Sequence, residues 1–458
     1  PDISFVYNGE IFNYASLGSS KSDTLYLEDV LPKVIKNGNL KKFLNSLNGF
    51  FSIIAAIDNE KTYLIRDRYG EKPLYFSFGD NNLIASSSLA IVAQNSDSDL
   101  CEEELFKQAK DPFARRKTRF GLKTIYSDIY EVPPGTFMEW TRDDGIIKNC
   151  EWYDLEADIS KYGNCSFYET ILDAVKIRGL SKAKGAITLS GGVDSSAVAA
   201  LLVNCGISLP AYTFKSSQPD YREDIFAIDN SSHLNILCNV VDEKSNLQEI
   251  GIEDIFSSIY SLERPFFDPN LAQSSIYKQL NCDGVKFSVE GHGADELFSG
   301  YQWHMPDLVI QSLLEKRFSL ALKIIKEYFL KFPDNYNLFS KLKWALSGTI
   351  YSFASRFSKK KYFGYKPEGF SSFRCKEVFS RVMRGLLHNY DCVSMQHSIE
   401  VRSPFLDHRV VAIILSTRDL EFFFKSDTKQ SLREILFEHD LTPIKKKIGF
   451  RSYIWNDL

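Results

Sequence analysis

The run Leu189-Ser190-Gly191-Gly192-Val193-Asp194-Ser195-Ser196 constrains this chain more than any other segment. It follows an apolar stretch, 185–189, and opens a helix expected over about 194–204. A Ser-Gly-Gly turn lets backbone approach an anion closely, and the helix start adds N–H groups, hydroxyls and the favourable end of the dipole. This is the pattern of a pyrophosphate cradle. It lacks the G-x-x-x-x-G-K-[ST] of a kinase-type P-loop, so it suits the pyrophosphate of ATP during adenylation better than a γ-phosphate in transfer. A plain Gly-rich strand-to-helix turn is the alternative.

Further apolar segments at 211–214, 238–241 and 285–290 are each separated by a helix-length amphipathic stretch, the βαβ signature of a parallel sheet. The last of them runs into Glu290-Gly291-His292-Gly293-Ala294-Asp295-Glu296-Leu297-Phe298-Ser299-Gly300-Tyr301. Strand ends on one edge of such a sheet converge on a crevice, so Asp194 and Asp295 are expected near the same triphosphate. Two carboxylates there suggest Mg²⁺, which takes one or two protein carboxylates together with phosphate oxygens. A capping role for Asp295 is compatible with this.

The first 150 residues read differently. Short runs rich in Phe, Tyr, Ile and Val at 3–7, 50–57, 62–66, 74–78, 83–87 and 136–140 predict a sheet-dominated α+β domain. A single long helix over 23–37 interrupts them, with Ser22 or Asp23 as N-cap. Beyond Pro306 strands largely vanish. Helical stretches at 307–330, 338–357 and 376–389 carry aromatic stripes expected to be core, and the Lys runs at 359–361 and 445–447 are expected to be solvated faces.

Composition excludes several classes. With 44% hydrophobic and 25% charged residues among 458, the chain is neither disordered nor fibrous, and a net charge of −4 gives no global argument for nucleic acid or anionic membrane as partner. No apolar run approaches the roughly 18 residues of a membrane helix. Eight cysteines lie far apart without a C-x-x-C pair or zinc-ligand spacing, which predicts free thiols in a reducing cytoplasm.

Taken together, these blocks resemble the asparagine synthetase family, which joins a glutamine amidotransferase domain to an ATP pyrophosphatase domain. The resemblance extends over nearly the whole chain. In the first domain it is carried by Tyr7-Asn8-Gly9-Glu10-Ile11-Phe12-Asn13-Tyr14, Lys21-Ser22-Asp23-Thr24, Leu47-Asn48-Gly49-Phe50-Phe51 and Arg66-Asp67-Arg68-Tyr69-Gly70-Glu71-Lys72-Pro73-Leu74-Tyr75. In the second, besides the two loops, Glu400-Val401-Arg402-Ser403-Pro404-Phe405-Leu406-Asp407-His408 and Lys445-Lys446-Lys447-Ile448-Gly449-Phe450 follow suit. The implied fold is an α+β sandwich-type glutaminase domain, 1–152, incomplete at its amino end, followed by an α/β parallel-sheet ATP pyrophosphatase domain, 164–458, with a largely helical C-terminal part.

The resemblance also implies roles. Asn8 and Gly9 match an oxyanion hole for glutamine hydrolysis, Glu10 lies in the same glutamine-binding stretch, and Asp23 matches the carboxylate that binds the α-amino group. Leu189, Glu290 and Gly291 fall at nucleotide-contact positions, Ser190, Gly191, Gly192, Asp194, Ser195 and Ser196 in the pyrophosphate loop, and Asp194 and Asp295 at the magnesium ligands. Lys447 matches a lysine that stabilises charge at the adenylate, while Asp391 and Arg402 look like the acceptor side.

Three departures stand out. The family nucleophile is an N-terminal cysteine well upstream of the Asn-Gly pair, whereas here only seven residues precede Asn8, and Cys101 and Cys150 sit at the wrong end of the domain. The retained binding residues favour a chain that begins upstream of Pro1 over a degenerate glutaminase. His292 stands where asparagine-forming relatives often carry an acid; it is either a general base for ammonia or an amine, or it orients Tyr301 or a phosphate. Glu290 stands where many relatives have Ser.

The resulting expectation is ATP-dependent amide formation through an acyl-adenylate, aspartate to asparagine by default, with glutamine or ammonia as donor and AMP and pyrophosphate as products. Within the family the alternative is an amidotransferase or amide-forming cyclase acting on a sugar uronate or peptide carboxylate. Outside it stands a non-catalytic nucleotide-binding descendant. ATP and Mg²⁺ are the expected cofactors, and glutamine and the carboxylate acceptor the partners, in a cytoplasmic protein without nucleic-acid or membrane partners and with a homodimer left open.

Overall fold

The computed structural model describes all residues except 1–2, 19–20, 58–59, 80–81, 112–115, 144, 220–221, 244–262, 264–270, 332–336, 380 and 445–458. The chain divides into two compact units. The first comprises Pro1–Asp154, Ile252–Pro269 and Arg384–Gln396; the second comprises Leu155–Gly251, Asn270–Met383 and His397–Leu458.

Among the described residues of the first unit, the six β-branched and aromatic runs form β1 (Ile3–Ile11), β2 (Gly49–Ile57), β3 (Lys61–Arg66), β4 (Tyr75–Gly79), β5 (Asn82–Ser86) and β8 (Thr136–Thr141), and the structure adds β6 (Leu122–Lys123), β7 (Ile129–Glu131) and β9 (Ile146–Glu151). They make two antiparallel sheets, ordered β1-β2-β3-β8-β9 and β5-β4-β7-β6. Alternation places Leu64 and Met138 of one sheet against Phe76 and Tyr130 of the other in a shared core. Each large side chain buried there contributes about 2 kcal/mol. The expected long helix spans Asp23–Lys36, and Ser22 is its N-cap, its Oγ accepting from Leu25 N at 3.2 Å. That helix is not alone: Leu40–Ser46, Leu89–Gln94 and Glu102–Lys110 are also helical, too short to show a periodicity in sequence.

The second unit is built on a five-stranded parallel sheet: β10 (Gly185–Thr188), β11 (Ala211–Lys215), β12 (Cys238–Asp242), β13 (Phe287–Val289) and β14 (Glu400–Arg402), ordered β12-β11-β10-β13-β14. The strand order reverses between β10 and β13, so the loops after these two strands flank the topological switch point, where α/β sheets bind ligands. All four residues of β10 are buried, as are the first ten of the helix Val193–Asn204, which is why neither segment shows amphipathic alternation.

The helical part corrects the sequence reading in two ways. The stretch 307–330 is two helices, Met305–Leu314 and Phe318–Leu330, broken where Lys316 adopts a left-handed φ of 58°. The stretch 376–389 is divided between Phe370–Val378 and Arg381–Gln396. The stripe in Leu338–Arg356 is also not core, since Leu338, Leu342, Leu346 and Ile350 are exposed. All eight cysteines are free thiols. Among the described residues no helix is long and apolar enough to cross a membrane.

Candidate functional site

The loop after β10 closes on itself through its serines. Ser190 N donates to Ser195 Oγ (3.1 Å), the two hydroxyls lie 3.1 Å apart, and Gly192 N donates to Ser190 Oγ (3.4 Å). Leu189 continues the strand, its N–H donating to Tyr212 O. Gly191 has a φ of +73°, and a Cβ there would lie 2.8 Å from Phe226 Cβ and 2.9 Å from Ala227 N, so both conformation and space require glycine. Gly192 is the helix N-cap without a capping side chain, which leaves first-turn N–H groups for an anion. Ser196 faces the other way, its buried hydroxyl accepting from Asn230 Nδ2 at 3.0 Å.

The loop after β13 is pressed onto this turn. A Cβ on Gly291 would lie 2.8 Å from Asp194 Cβ, so this glycine permits the two loops to touch. Asp295 lies in the first turn of the short helix Ala294–Leu297, whose N-cap is Gly293 with no side-chain cap bond, so Asp295 is not the cap. The Asp194 and Asp295 carboxylates converge on one cation that the sequence did not reveal. Lys429 Nζ lies 2.6 and 2.7 Å from the oxygens of Asp194 and 2.5 Å from Asp295 Oδ1. Lys429 is buried, sits at a left-handed φ of 61°, and precedes the helix Gln430–Glu438. Gly300 makes room for it, because a Cβ there would lie 2.1 Å from Asp295 Oδ1 and 2.2 Å from Lys429 Cε. The turn is anchored by Asp427, which pairs with Lys331 and Arg433 at 2.6 Å each. A lysine at a helix N-cap, where Ser, Thr, Asp or Asn is usual, was the available signal.

Glu290, buried at the end of β13, accepts from Thr188 Oγ1 (2.9 Å) and Tyr277 OH (3.0 Å), and His292 Nε2 stands 2.8 Å from its Oε2. Burial pushes the Glu290 carboxyl up, but the neighbouring imidazole and the hydroxyl hydrogen bonds outweigh it and hold the group below the usual range. Glu296, six positions on, is pushed up by burial and by the charge of Asp295. Tyr301 OH donates to Glu296 Oε1 at 2.7 Å, while the carboxylate beside His292 is that of Glu290. Arg402, in β14, donates to Arg178 O (2.7 Å) and its guanidinium lies over the Phe287 ring. Lys447 lies outside the described residues.

In the first unit, Asn8, Gly9 and Glu10 pair across the ladder with Ser52, Phe51 and Phe50. A Cβ on Gly9 would lie 2.1 Å from Phe50 O and one on Gly49 2.0 Å from Glu10 O, so both strands need glycine at this crossing. Asp23 Oδ2 accepts from Tyr7 OH (2.7 Å) and Ile11 N (3.1 Å), which places its carboxylate beside β1. The Arg66–Tyr75 block is largely a structural knot. The buried Asp67 carboxylate accepts from the N–H groups of Tyr69, Gly70, Glu71 and Lys72, while Arg66 donates to Glu131 and to the carbonyls of Gly70, Lys72 and Val132. Asp391, in the same unit, pairs with buried Lys72 at 2.7 Å.

Among the described residues no cluster of three or more His, Cys, Asp or Glu stands ready to hold a metal. Two carboxylates around a common cation position nonetheless fit Mg²⁺, which would take its remaining ligands from phosphate and water.

Comparison with known proteins finds two family models along the chain. Residues 166–443 match the model of the asparagine synthase family, and residues 2–153 match a glutamine amidotransferase domain. An asparagine synthetase (glutamine-hydrolyzing) of Bacillus subtilis is 23% identical over 99% of this chain and 77% of its own length. Two fungal proteins, amidase chry2 of Gibberella zeae and amidase chyE of Penicillium rubens, are each 25% identical over 65% and 58% of this chain, which spans 47% and 42% of their lengths.

Proposed function

Because the chain belongs to the asparagine synthase family, we propose that it is an ATP-dependent, glutamine-coupled amide-forming ligase acting through an acyl-adenylate. The observation that carries this reading is the convergence of Asp194, Asp295 and Lys429 beside the Ser190–Ser195 turn. An acceptor carboxylate attacks the α-phosphorus of ATP, and the bond to pyrophosphate breaks. The departing pyrophosphate is received by the N–H groups and hydroxyls of the turn, while Lys429 answers the charge that builds on its oxygens. Asp194 and Asp295 would hold Mg²⁺, which neutralises phosphate charge when bound. Ammonia then attacks the acyl carbon and AMP leaves. His292, oriented by ionised Glu290, takes the proton the nitrogen must lose. In the first unit Asn8 and Gly9 supply the oxyanion hole for glutamine, and Asp23 its amino-group partner. Lys447 acts at the adenylate.

Aspartate is the default acceptor. A sugar uronate or peptide carboxylate is the second reading; Asp391 and Arg402, the residues assigned to the acceptor side, also bond Lys72 and Arg178 O. Pyrophosphate release with ATP, Mg²⁺ and aspartate tests the proposal, with the amide identified by mass when ammonia is supplied directly. No release with any carboxylate tried sinks the ligase reading; release with uronates or peptides but not aspartate selects the second acceptor class.

A further inference from the structure

Two helices of the second unit each bury one face and carry a second apolar stripe on another. In Phe318–Leu330 the core face is Leu320, Ala321, Ile324 and Tyr328. Phe318, Leu322, Ile325 and Phe329 recur at helical spacing on a different face, where Phe318 is 61% and Leu322 67% exposed. In Leu338–Arg356 the buried positions are Gly348, Ser352, Ser355 and Arg356, nearly all small or polar. The large apolar residues Leu338, Leu342, Leu346, Ile350 and Phe353 instead form an exposed line, extended by Phe357, with Phe339 77% exposed. At 1.5 Å per residue this line runs for about 28 Å. Both helices pack against Met305–Leu314.

Folding does not require these stripes to be apolar, and the charge around them shows what they face. Lys316, Lys323, Lys326, Lys343, Lys359 and Lys361 are exposed in the same segments, against only Glu315 and Glu327 among the described residues there. Arg317, Lys331 and Arg356 are already engaged with Glu421, Asp427 and Asp307. The surface is therefore locally basic in a chain whose net charge is −4. A second copy docked face to face would oppose lysine to lysine. Amphipathic helices with Lys beside Leu, Phe and Trp instead match an interface of acyl chains beneath anionic headgroups. Trp344, 53% exposed, adds an interfacial anchor.

We propose that the helices Phe318–Leu330 and Leu338–Arg356 dock this enzyme peripherally on an anionic phospholipid bilayer. This departs from the expectation of no membrane partner, which rested on the absence of a spanning segment and on the overall charge; peripheral docking needs neither a spanning helix nor a basic whole chain. Flotation of the full chain with phosphatidylglycerol vesicles and with phosphatidylcholine vesicles tests it. Binding is expected to the anionic vesicles only, to fall with salt, and to weaken about tenfold or more in Lys323→Glu/Lys326→Glu/Lys343→Glu. The pair Leu346→Ser/Ile350→Ser, and separately Phe339→Ser, should weaken it too, with circular dichroism unchanged. Failure to float with phosphatidylglycerol overturns the proposal, as does wild-type flotation of both serine variants. A dimer that the serine variants turn into monomer, without vesicle binding, overturns it in favour of a second copy.

Discussion

Both candidate sites depend on glycine at a close approach of backbone, but the approach is made differently. In the first unit Gly9 and Gly49 lie on neighbouring strands of an antiparallel ladder, opposite Phe51 and Ile11, where each would drive a Cβ into a carbonyl of the partner strand. In the second, Gly191 turns the chain from strand to helix, where a Cβ would strike the segment carrying Phe226 and Ala227. A ladder spends most backbone polar groups on pairing, so specificity there must come from side chains such as Asn8 and Asp23. A turn at a helix start leaves its N–H groups unspent, so the backbone itself can hold phosphate. The difference would suit the ligands proposed for the two sites: a neutral amide with an ammonium at one, a polyanion at the other.

Substitutions that separate the two sites put this contrast at risk. The largest effect is expected from Gly191→Ala, which forces a side chain into a left-handed φ and into occupied space; ATP–pyrophosphate exchange should fall by about a thousandfold, comparable to losing a donor from a preorganised charge-stabilising site. Glutamine binding, measured by calorimetry, should survive it. Gly9→Ala should do the reverse, and loss of both functions in either variant would break the comparison. Lys429→Met should lower the exchange rate about a hundredfold and cost about 3 kcal/mol in urea unfolding, because two buried carboxylates lose their shared cation. It should also lower the Mg²⁺ concentration needed for half-maximal rate, which a purely structural lysine would not do. Glu290→Gln should slow amide formation by about tenfold while leaving pyrophosphate exchange little changed, and should move the acid limb of the amide-forming rate.

Stability should follow pH with a definite sign. Asp407 is fully buried, which pushes its carboxyl up, but Arg178 at 2.8 Å and Arg409 at 2.9 Å overcome this and hold it well below the usual range. A carboxyl depressed on folding contributes stability that is complete above its unfolded pKa of about 3.9 and is lost as pH falls through the folded value. Acid unfolding below about pH 4 should therefore be shallower in Asp407→Asn, which at neutral pH costs about 3 kcal/mol. The smallest effect is expected from Ser22→Ala, about 1 kcal/mol, for one lost cap.

The parallel sheet was legible because its strands are short continuous apolar runs, and its two loops because glycine and acidic residues cluster only where backbone must bend toward charge. Ser22 was legible as a cap for the same local reason. β14 was not, since Glu400–Arg402 is a three-residue strand with a charge at each end. Lys429 was hard to see because it meets Asp194 across 235 positions of sequence, and its unusual place at a helix N-cap marks the residue without naming its distant partners. The stripe of Leu338–Arg356 misled, because periodicity shows that a helix has an apolar face without telling which face meets the core.

Lys429 has one more consequence. Two carboxylates as close as those of Asp194 and Asp295 repel each other without a counter-ion between them. Here the tethered ammonium of Lys429 serves as a resident counter-ion, so on the proposed function the fold would persist when nucleotide and metal have left. Under the proposed function, the binding of ATP with its cation becomes an exchange of one positive charge for another rather than the rescue of a strained site; saturating nucleotide should still raise the melting temperature by mass action, but the nucleotide-free protein should stay folded.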